Sequence, residues 1–269
     1  MTFICPTCGI DPEKGKRPYS RSGLPSVTTV TSVCDIDSSA LLWWASGCAA
    51  AKAVDTTEWR SKSRDDAYNI LRRAFDEDRE GKAANGTVIH HFLDHWQLGE
   101  NIDFTDQPGL EPYIDAAENW WMKYKPEVSY AEKILCIEGP SFVVGTTDCV
   151  GTLEIDGERV SVLWDYKTVA NAKKNYPPKL SAIAQVGAYA NGRIIDWETF
   201  KKVKSSPIEY INSCERINVD HVAIVEFRSD GRYRMTLLKN DDMVQNLWRS
   251  AVSHYLTVKS VSNDNGAWI

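Results

Sequence analysis

Long apolar runs are missing from this chain. None approaches the ~18 consecutive apolar residues that a membrane-spanning helix needs, and no basic segment followed by an apolar one marks an export signal. We therefore expect no membrane partner and a cytoplasmic location. The motif G-x-x-x-x-G-K-S/T is missing too, which excludes a helicase motor driven by nucleotide hydrolysis.

Positive charge is also in short supply. The 31 Lys and Arg residues are outnumbered by 37 Asp and Glu residues, which gives a net charge of −6. This balance argues against a protein held on DNA by bulk positive charge, although a local basic groove is compatible with it. With 269 residues, the chain is long enough for one large domain or for one domain with a helical subdomain.

Cysteine pairing is not expected. Seven cysteines are an odd number in a chain without an export signal, which disfavours a disulfide framework. Cys5 and Cys8 have the spacing of a zinc knuckle, but a tetrahedral zinc site needs two further ligands. Cys34 and Cys48 are candidates only by proximity, and each fits a helical pattern in which a small buried residue is the commoner interpretation.

The sequence pattern divides the chain into three parts. Residues 1–24 predict an irregular arm, residues 25–125 a helical part, and residues 126–269 a core that mixes strands and helices. This order predicts an α+β fold without internal repeats. The predicted helices span about 40–54, 63–79, 85–96, 110–125, 177–190 and 241–258, and the predicted strands span about 128–138, 141–155, 158–167, 221–228 and 232–239.

A β-hairpin within residues 145–167 carries the most specific pattern. Asp156-Gly157 is a strong signal for a two-residue type I′ turn between alternating residues. We therefore expect Ile155 and Glu158 to flank the turn as a pair. Every other pair of the hairpin follows from that one.

Two carboxylates face each other in this register. Asp148 lies directly opposite Asp165, and Lys167 shares the strand face of Asp165. Opposed residues have Cβ atoms about 4.5–5.5 Å apart, so like charges there destabilise the pair. A divalent cation would offset the repulsion, and the hairpin therefore predicts a metal site.

An exposed sheet face is the alternative explanation. In that case both acids would be solvated, with Lys167 as a screening partner. A bulge near Gly145 or Gly151 would also break the register. The opposite face of the second strand suits a core, since it carries Val160, Val162, Trp164 and Tyr166.

Further polar residues lie before and after the hairpin. His90, the first of three histidines within six residues, would suit Mn²⁺ better than Mg²⁺, although a helical histidine is more often structural. Gln185 and Tyr189 are spaced i, i+4 and share one helix face, which an ordinary interface would also explain. The best candidates for contacting phosphates are three loop lysines, although such clusters are usually only solvated: Lys173, Lys174 and Lys179.

Taken together, these elements resemble the PD-(D/E)XK nuclease superfamily, and within it the RecB-like nucleases. The stretch LPSVTTVTSVCDIDSSALLWWA is also similar to the N-terminal part of bacteriophage RecB-like exonucleases, notably those of actinobacterial phages. Glu132 stands where many relatives place an acidic residue, but a single Glu in a strand has low specificity. The matching residues follow the family's order: His90 in GTVIH, Asp148 in GTTD, Asp165 and Lys167 in WDYK, and Gln185 and Tyr189 in QVGAY.

The resemblance implies a restriction-endonuclease-like core, a mixed central sheet flanked by helices, with His90 contributed by the helical part. It implies that Mg²⁺ or Mn²⁺ is held by Asp148 and Asp165, with His90 and the Tyr166 carbonyl as further ligands. Lys167 would orient or deprotonate the attacking water. The remaining catalytic residues, Gln185 and Tyr189, would position the strand or neighbouring side chains. Both a one-metal and a two-metal site fit this set.

The cysteine positions of this chain differ from those of some RecB-like nucleases. Some RecB-like nucleases carry an iron–sulfur cluster on one cysteine before the core and on three more near the C-terminus. Beyond Tyr189 this chain has only Cys214. We therefore expect no iron–sulfur cluster.

Three functions fit the sequence. We favour a metal-dependent DNA exonuclease of phage recombination, repair or degradation, acting in the bacterial host cytoplasm if phage-encoded. Its substrate would be DNA, and a phage recombinase or a single-strand-binding protein is a candidate partner. The second function is a catalytically silent nuclease-fold scaffold, against which the intact Asp148, Asp165 and Lys167 argue. The third is a zinc-knuckle module that rests on Cys5 and Cys8 alone.

Overall fold

A six-stranded mixed sheet organises the chain. The computed structural model describes residues 17–20, 22–35, 39–97, 99–100, 109–139, 142–170, 177–203 and 207–263. In sheet order β4-β1-β2-β3-β5-β6, all neighbours are antiparallel except β3 and β5. The strands are β1 Glu127–Ile137, β2 Val143–Ile155, β3 Glu158–Val169, β4 Arg193–Ile194, β5 His221–Arg228 and β6 Tyr233–Lys239.

Eight α-helices accompany the sheet in the described part of the chain. They are α1 Val27–Thr31, α2 Ser39–Asp55, α3 Arg64–Gln97, α4 Glu111–Tyr124, α5 Leu180–Tyr189, α6 Trp197–Lys202, α7 Pro207–Ser213 and α8 Asp242–Asn263. The parallel pair of β3 and β5 requires a crossover connection, and α5 lies within it. Among these helices, none combines the length and apolar composition needed to cross a membrane. The protein thus has an α+β fold, with a mixed sheet flanked by helices.

Helices cover both faces of the sheet. On one face, α3 and α4 enclose a core that contains Trp120, Trp164 and Tyr166. On the other face, α1, α5 and α8 enclose a second core around Leu163 and Val186. Successive residues of β3 therefore point alternately into two cores, because strand side chains alternate between faces.

The alternative of an exposed acidic face is therefore wrong. Asp148 and Asp165 are only 4% and 2% exposed. The apolar face of β3 is a core face, as predicted, and it lies against α3 and α4. The face that carries Asp165 is covered by α5. The predicted pair of Asp148 and Asp165 lies just beyond the last paired residues of β2 and β3, Cys149 and Trp164. Both carboxylates are nevertheless buried in the middle of the fold, which raises the energetic cost of leaving their charges uncompensated.

The hairpin between β2 and β3 follows the predicted register. Asp156 and Gly157 form its turn with φ values of +52° and +87°, as a type I′ turn requires. The strands stay in register as far as the pair Cys149 and Trp164. A bulge does occur, but it lies in β1 opposite Gly151 and leaves the pairing of β2 with β3 unchanged.

The helical part differs from prediction at one important place. The helices predicted for about 63–79 and 85–96 form a single helix, α3, that continues through Gly86. A Cβ atom at Gly86 would lie 3.2 Å from the Thr168 Oγ1 atom. This glycine therefore reflects the close approach of α3 to β3 and not the start of a helix.

Three other boundaries also differ. The helix predicted for 177–190 begins at Leu180, because prolines precede it and Lys179 is its N-cap. The last helix extends to Asn263 instead of about residue 258. The sequence pattern also missed β4, α6 and α7, each of which is seven residues or shorter and offers little periodicity.

The predicted N-terminal arm is only partly within the described residues. Its described end packs on the fold, since Tyr19 is buried with its ring 5.9 Å from that of Trp197. Cys5 and Cys8, the basis of the zinc-knuckle hypothesis, lie outside the described residues. Lys173 and Lys174 of the predicted phosphate-contacting loop do so as well.

Candidate metal centre and active site

The candidate site lies where β2 and β3 separate. Their pairing ends at Cys149 and Trp164, one pair before Asp148 and Asp165. Beyond that point β2 continues beside β1, and β3 continues beside β5. Side chains from both helical layers reach this point, because α3 contributes His90 and α5 contributes Gln185.

Three potential metal ligands come together on one side of the separation. They are His90 of α3, Glu132 of β1 and Asp148 of β2, whose ligand atoms all lie within 4.8 Å of one another. The His90 Nδ1 atom is 3.5 Å from the Asp148 Oδ2 atom. The backbone N–H of Tyr166 donates to the same Oδ2 atom over 2.7 Å and fixes the orientation of this carboxylate.

Glu132 reaches the cluster through an unusual backbone conformation. Its neighbours Ala131 and Lys133 pair with Cys149 and Thr147 of β2, so Glu132 stands across from Asp148. Its φ value is +50°, in the left-handed region that non-glycine residues seldom adopt. Such strain is found most often where a side chain is held for a function.

A hydrogen-bonded network holds the other predicted catalytic residues together. Lys167 forms an ion pair with Asp165, and its Nζ atom donates to the Gln185 Oε1 atom over 3.3 Å. The Gln185 Nε2 atom lies 2.9 Å from Asp165 Oδ1 and 3.2 Å from Tyr189 Oη, both of which accept from it. The predicted i, i+4 pair of α5 thus faces the predicted acid and lysine of β3.

The two buried aspartates differ in their electrostatics. Burial opposes the ionisation of Asp148, but His90, Lys167 and the Tyr166 N–H together hold its pKa below the ordinary value. Burial raises the pKa of Asp165, and the charge of Asp148 adds to this effect against the opposing charge of Lys167. Asp148 is therefore the more readily ionised of the two carboxylates, and its charge makes ionisation of Asp165 harder.

Neighbouring groups hold protons as well. Burial lowers the pKa of His90, but Asp148 outweighs it and the pKa rises to about 9. Burial and the charge of Glu132 raise the pKa of Asp94, one helical turn beyond His90, to about 8. Glu132 is exposed as a residue at the rim, yet burial of its carboxylate and the charge of Asp148 raise its pKa to about 7.

This donor set fits a divalent cation. Carboxylate oxygens suit Mg²⁺ and Mn²⁺, and an imidazole nitrogen favours Mn²⁺. The Asp165 Oδ2 atom is buried and makes no hydrogen bond within the described residues, and its negative charge is compensated by the Lys167 ammonium and, to a smaller degree, by His90. Several carboxylates lie around one imidazole, so the site lacks enough positive charge and favours binding of protons or of a cation. The raised pKa values of Glu132 and Asp94 reflect this lack of positive charge.

The compact ligand set differs from the predicted one. His90 and Asp148 belong to both sets, the compact cluster adds Glu132, and the predicted ligand Asp165 lies outside that cluster. Asp165 is instead engaged by Lys167 and Gln185. Tyr166, predicted to offer its carbonyl, supplies its N–H to Asp148 and an edge-on ring contact to His90, with the ring centroids 6.0 Å apart.

The remaining predicted residues are peripheral to this centre. His91 and His95 contact each other, and His95 pairs with Glu100, so neither belongs to the three-ligand cluster. Lys179 is exposed and lies 3.9 Å from Asp35 Oδ2. It lines a cavity of about 320 Å³ together with Lys167 and Gln185, which places it within reach of the site.

Comparisons with known proteins add little. No family model and no curated protein matches the chain. One solved structure, titled "Crystal structure of SSO0001", aligns with 13% identity and a TM-score of 0.27. The alignment covers 54% of this chain and 59% of that one, so less than two thirds of that structure is spanned. A likeness of this size identifies neither fold nor function.

The raised pKa values predict how pH acts on the metal-free protein. Protonated His90 contributes stability that is present below about pH 6.5 and is lost as the pH rises through about 9. Glu132 and Asp94 act in the same direction, because stability falls as the pH rises from their ordinary pKa values of 4.5 and 3.8 to their folded pKa values of about 7 and about 8. The unfolding temperature measured in EDTA should therefore fall between about pH 6 and about pH 9.

Added Mn²⁺ should counteract this loss and stabilise the protein more at the higher pH, because deprotonated ligands bind metal. The variant Asp94→Asn is the control, since it should flatten the pH dependence. An unfolding temperature that rises with pH in EDTA, or an equal pH dependence in the variant, would contradict this electrostatic description.

Proposed function

We propose that the protein is a divalent-metal-dependent deoxyribonuclease with a restriction-endonuclease-like PD-(D/E)XK core. The observation that carries this proposal is the adjacency of two arrangements at the separation of β2 and β3. One is the ligand cluster of His90, Glu132 and Asp148. The other is the network in which Asp165 and Gln185 hold the Lys167 ammonium. Together they offer a cation site beside a fixed positive charge.

The topology supports the same proposal. The antiparallel strands β1, β2 and β3 are followed by a crossover that contains α5 and then by β5, parallel to β3. The candidate residues come from α3, β2, β3 and α5, the order in which the sequence resemblance places them. The mixed sheet and its flanking helices are the arrangement expected of such a core.

The chemistry requires control of negative charge around a phosphodiester. A divalent cation, when bound, supplies Lewis-acid chemistry that offsets this charge. Burial lowers the pKa of Lys167, but Asp165 and Asp148 outweigh it and raise the pKa above its ordinary value. Lys167 therefore stays protonated at neutral pH, so it orients the attacking water or stabilises phosphate charge and does not take the proton.

Gln185 and Tyr189 set the position of that ammonium. Gln185 accepts from Lys167 and donates to Asp165, which fixes the amide orientation. Tyr189 is fully buried and lies against Gly145, where a Cβ atom would come within 2.5 Å of its Cε1 atom. We assign both residues as positioning residues for Lys167 and Asp165.

A silent scaffold explains these features less well. Buried carboxylates that repel each other destabilise a fold, and apolar residues of similar volume would serve a scaffold better. We therefore retain catalysis on DNA as the proposal, with action from DNA ends suggested by the resemblance to phage exonucleases. A phage recombinase or single-strand-binding protein as partner, and the host cytoplasm as location, belong to the same proposal.

Substitutions at β3 test the assignment. Asp165→Asn should abolish Mn²⁺-dependent cleavage of end-labelled DNA. Lys167→Ala should retain DNA binding but cleave at least ~10²-fold more slowly, the scale of losing a charge-stabilising group. Asp156→Asn makes the same chemical change in the hairpin turn and should retain full activity.

Full cleavage by Asp165→Asn would refute the role of Asp165. A Lys167→Ala protein with weakened DNA binding but a normal rate per bound complex would show that Lys167 serves affinity alone.

Action from ends is tested with one DNA in two forms. Covalently closed circular DNA should survive conditions that degrade the same molecule after linearisation, because a strand end has to enter the site. The measurement is gel analysis of both forms over time with Mn²⁺. Rapid nicking of the closed circle would instead indicate an endonuclease.

A further inference from the structure

A cavity of about 840 Å³ opens next to the candidate site. Residues from 17–20 and 23–29, which include the start of α1, line one side of it, and the C-terminal half of α8 lines another. Gly145 of β2 and Tyr189 of α5 form its wall toward the catalytic residues. Neither the sequence resemblance nor the metal cluster assigns a role to this cavity.

The cavity wall is connected to the catalytic carboxylate by hydrogen bonds. Tyr189 Oη accepts from the Gln185 amide, which also donates to Asp165. An occupant that touches Tyr189 is therefore separated from Asp165 by two side chains. Gly145 and Tyr189 separate the cavity from the candidate site, so the two are adjacent across this wall.

The cavity offers groups that suit phosphates. Arg17 donates to the Tyr19 hydroxyl over 3.1 Å, and that hydroxyl is 3.0 Å from the Thr146 Oγ1 atom. Lys259 lies over the Tyr255 ring at 5.5 Å. Among the described residues, neither Arg17 nor Lys259 forms an ion pair with a carboxylate within 4.0 Å, although the charge of Arg17 also acts on Glu132. Two cations thus face one cavity in a protein whose net charge is −6.

The rest of the lining is mixed. Hydroxyl groups come from Ser20, Thr28 and Thr29, and apolar surface comes from Leu24 and Pro25. Cations and hydroxyls bind phosphates, whereas apolar and aromatic surfaces accept bases, which is the combination that single-stranded nucleic acid requires. An apolar metabolite or a simple anion would use only part of it.

We propose that this cavity binds a short single-stranded segment of the DNA substrate beside the scissile phosphate, with Arg17 and Lys259 at its phosphates. This inference rests on the proposed function. The volume lies within the range of about 300–1,000 Å³ that is typical of small-ligand pockets.

Binding of a short fluorescent oligothymidylate, measured by anisotropy in EDTA, tests the inference without cleavage. Arg17→Ala and Lys259→Ala should each weaken binding about tenfold, the scale of a lost charge-assisted contact. Each should also reduce the slope of log K against log salt by about 0.7, the value for one phosphate contact with a single strand. Lys239→Ala removes a distant cation of β6 and should change neither quantity.

Two further variants separate charge from structure. Arg17→Lys keeps the charge and should retain most of the binding even if the contact with Tyr19 is lost. Ser20→Trp fills the cavity without removing a charge and should weaken binding to a similar degree as Arg17→Ala. Thermal unfolding of each variant shows whether the fold is intact.

Wild-type affinity in folded Arg17→Ala and Ser20→Trp proteins, or equal losses in Lys239→Ala, would overturn the inference. The proposed function is judged separately by cleavage. Cavity-dependent binding by a protein that never cuts would retain the binding site and reject the nuclease. Metal-dependent cleavage that is unchanged in these variants would retain the nuclease and reject the binding site.

Discussion

The burial of two interacting carboxylates, Asp148 and Asp165, is the constraint on which the rest of the structure depends. Both carboxylates are buried at the point where β2 and β3 separate, and their mutual repulsion must be offset. His90 approaches Asp148 from α3, and Lys167 pairs with Asp165 from the same strand. Positive groups thus offset the charge of each aspartate. Glu132 and Asp94 add further carboxyl groups, whose negative charge a bound cation would compensate.

The surrounding architecture brings these groups together from both sides of the sheet. α3 lies close to β3, where a glycine at position 86 leaves room for Thr168. On the other face, Gly145 leaves room for Tyr189, which supports Gln185 and through it Asp165 and Lys167. The same tyrosine lines the adjoining cavity, so Tyr189 and Gln185 connect this cavity to Asp165.

Local patterns predicted the parts of the site that depend on local geometry. The Asp156-Gly157 turn fixed the hairpin register, and i, i+4 spacing placed Gln185 and Tyr189 on one face. Glu132 was not assigned as a ligand, because its position depends on the pairing of β1 with β2 and on a left-handed φ. Asp94 lies four residues after His90 on the same helix face, so the sequence spacing alone could have identified it as a neighbour of His90. The position of Arg17 beside the cavity depends on how the N-terminal arm packs on the fold. Sequence periodicity carries no information about such packing.

The most direct test of a cation at this centre is a titration of Mn²⁺ into the full chain, with free Mn²⁺ followed by electron paramagnetic resonance. We expect saturable binding that is at least about tenfold weaker in Asp148→Asn, because the variant removes a ligand and the charge opposite Glu132. The Asp156→Asn protein should bind like the wild type. Absence of saturable binding, or equal binding by wild type and Asp148→Asn, would contradict the existence of a metal centre between β2 and β3.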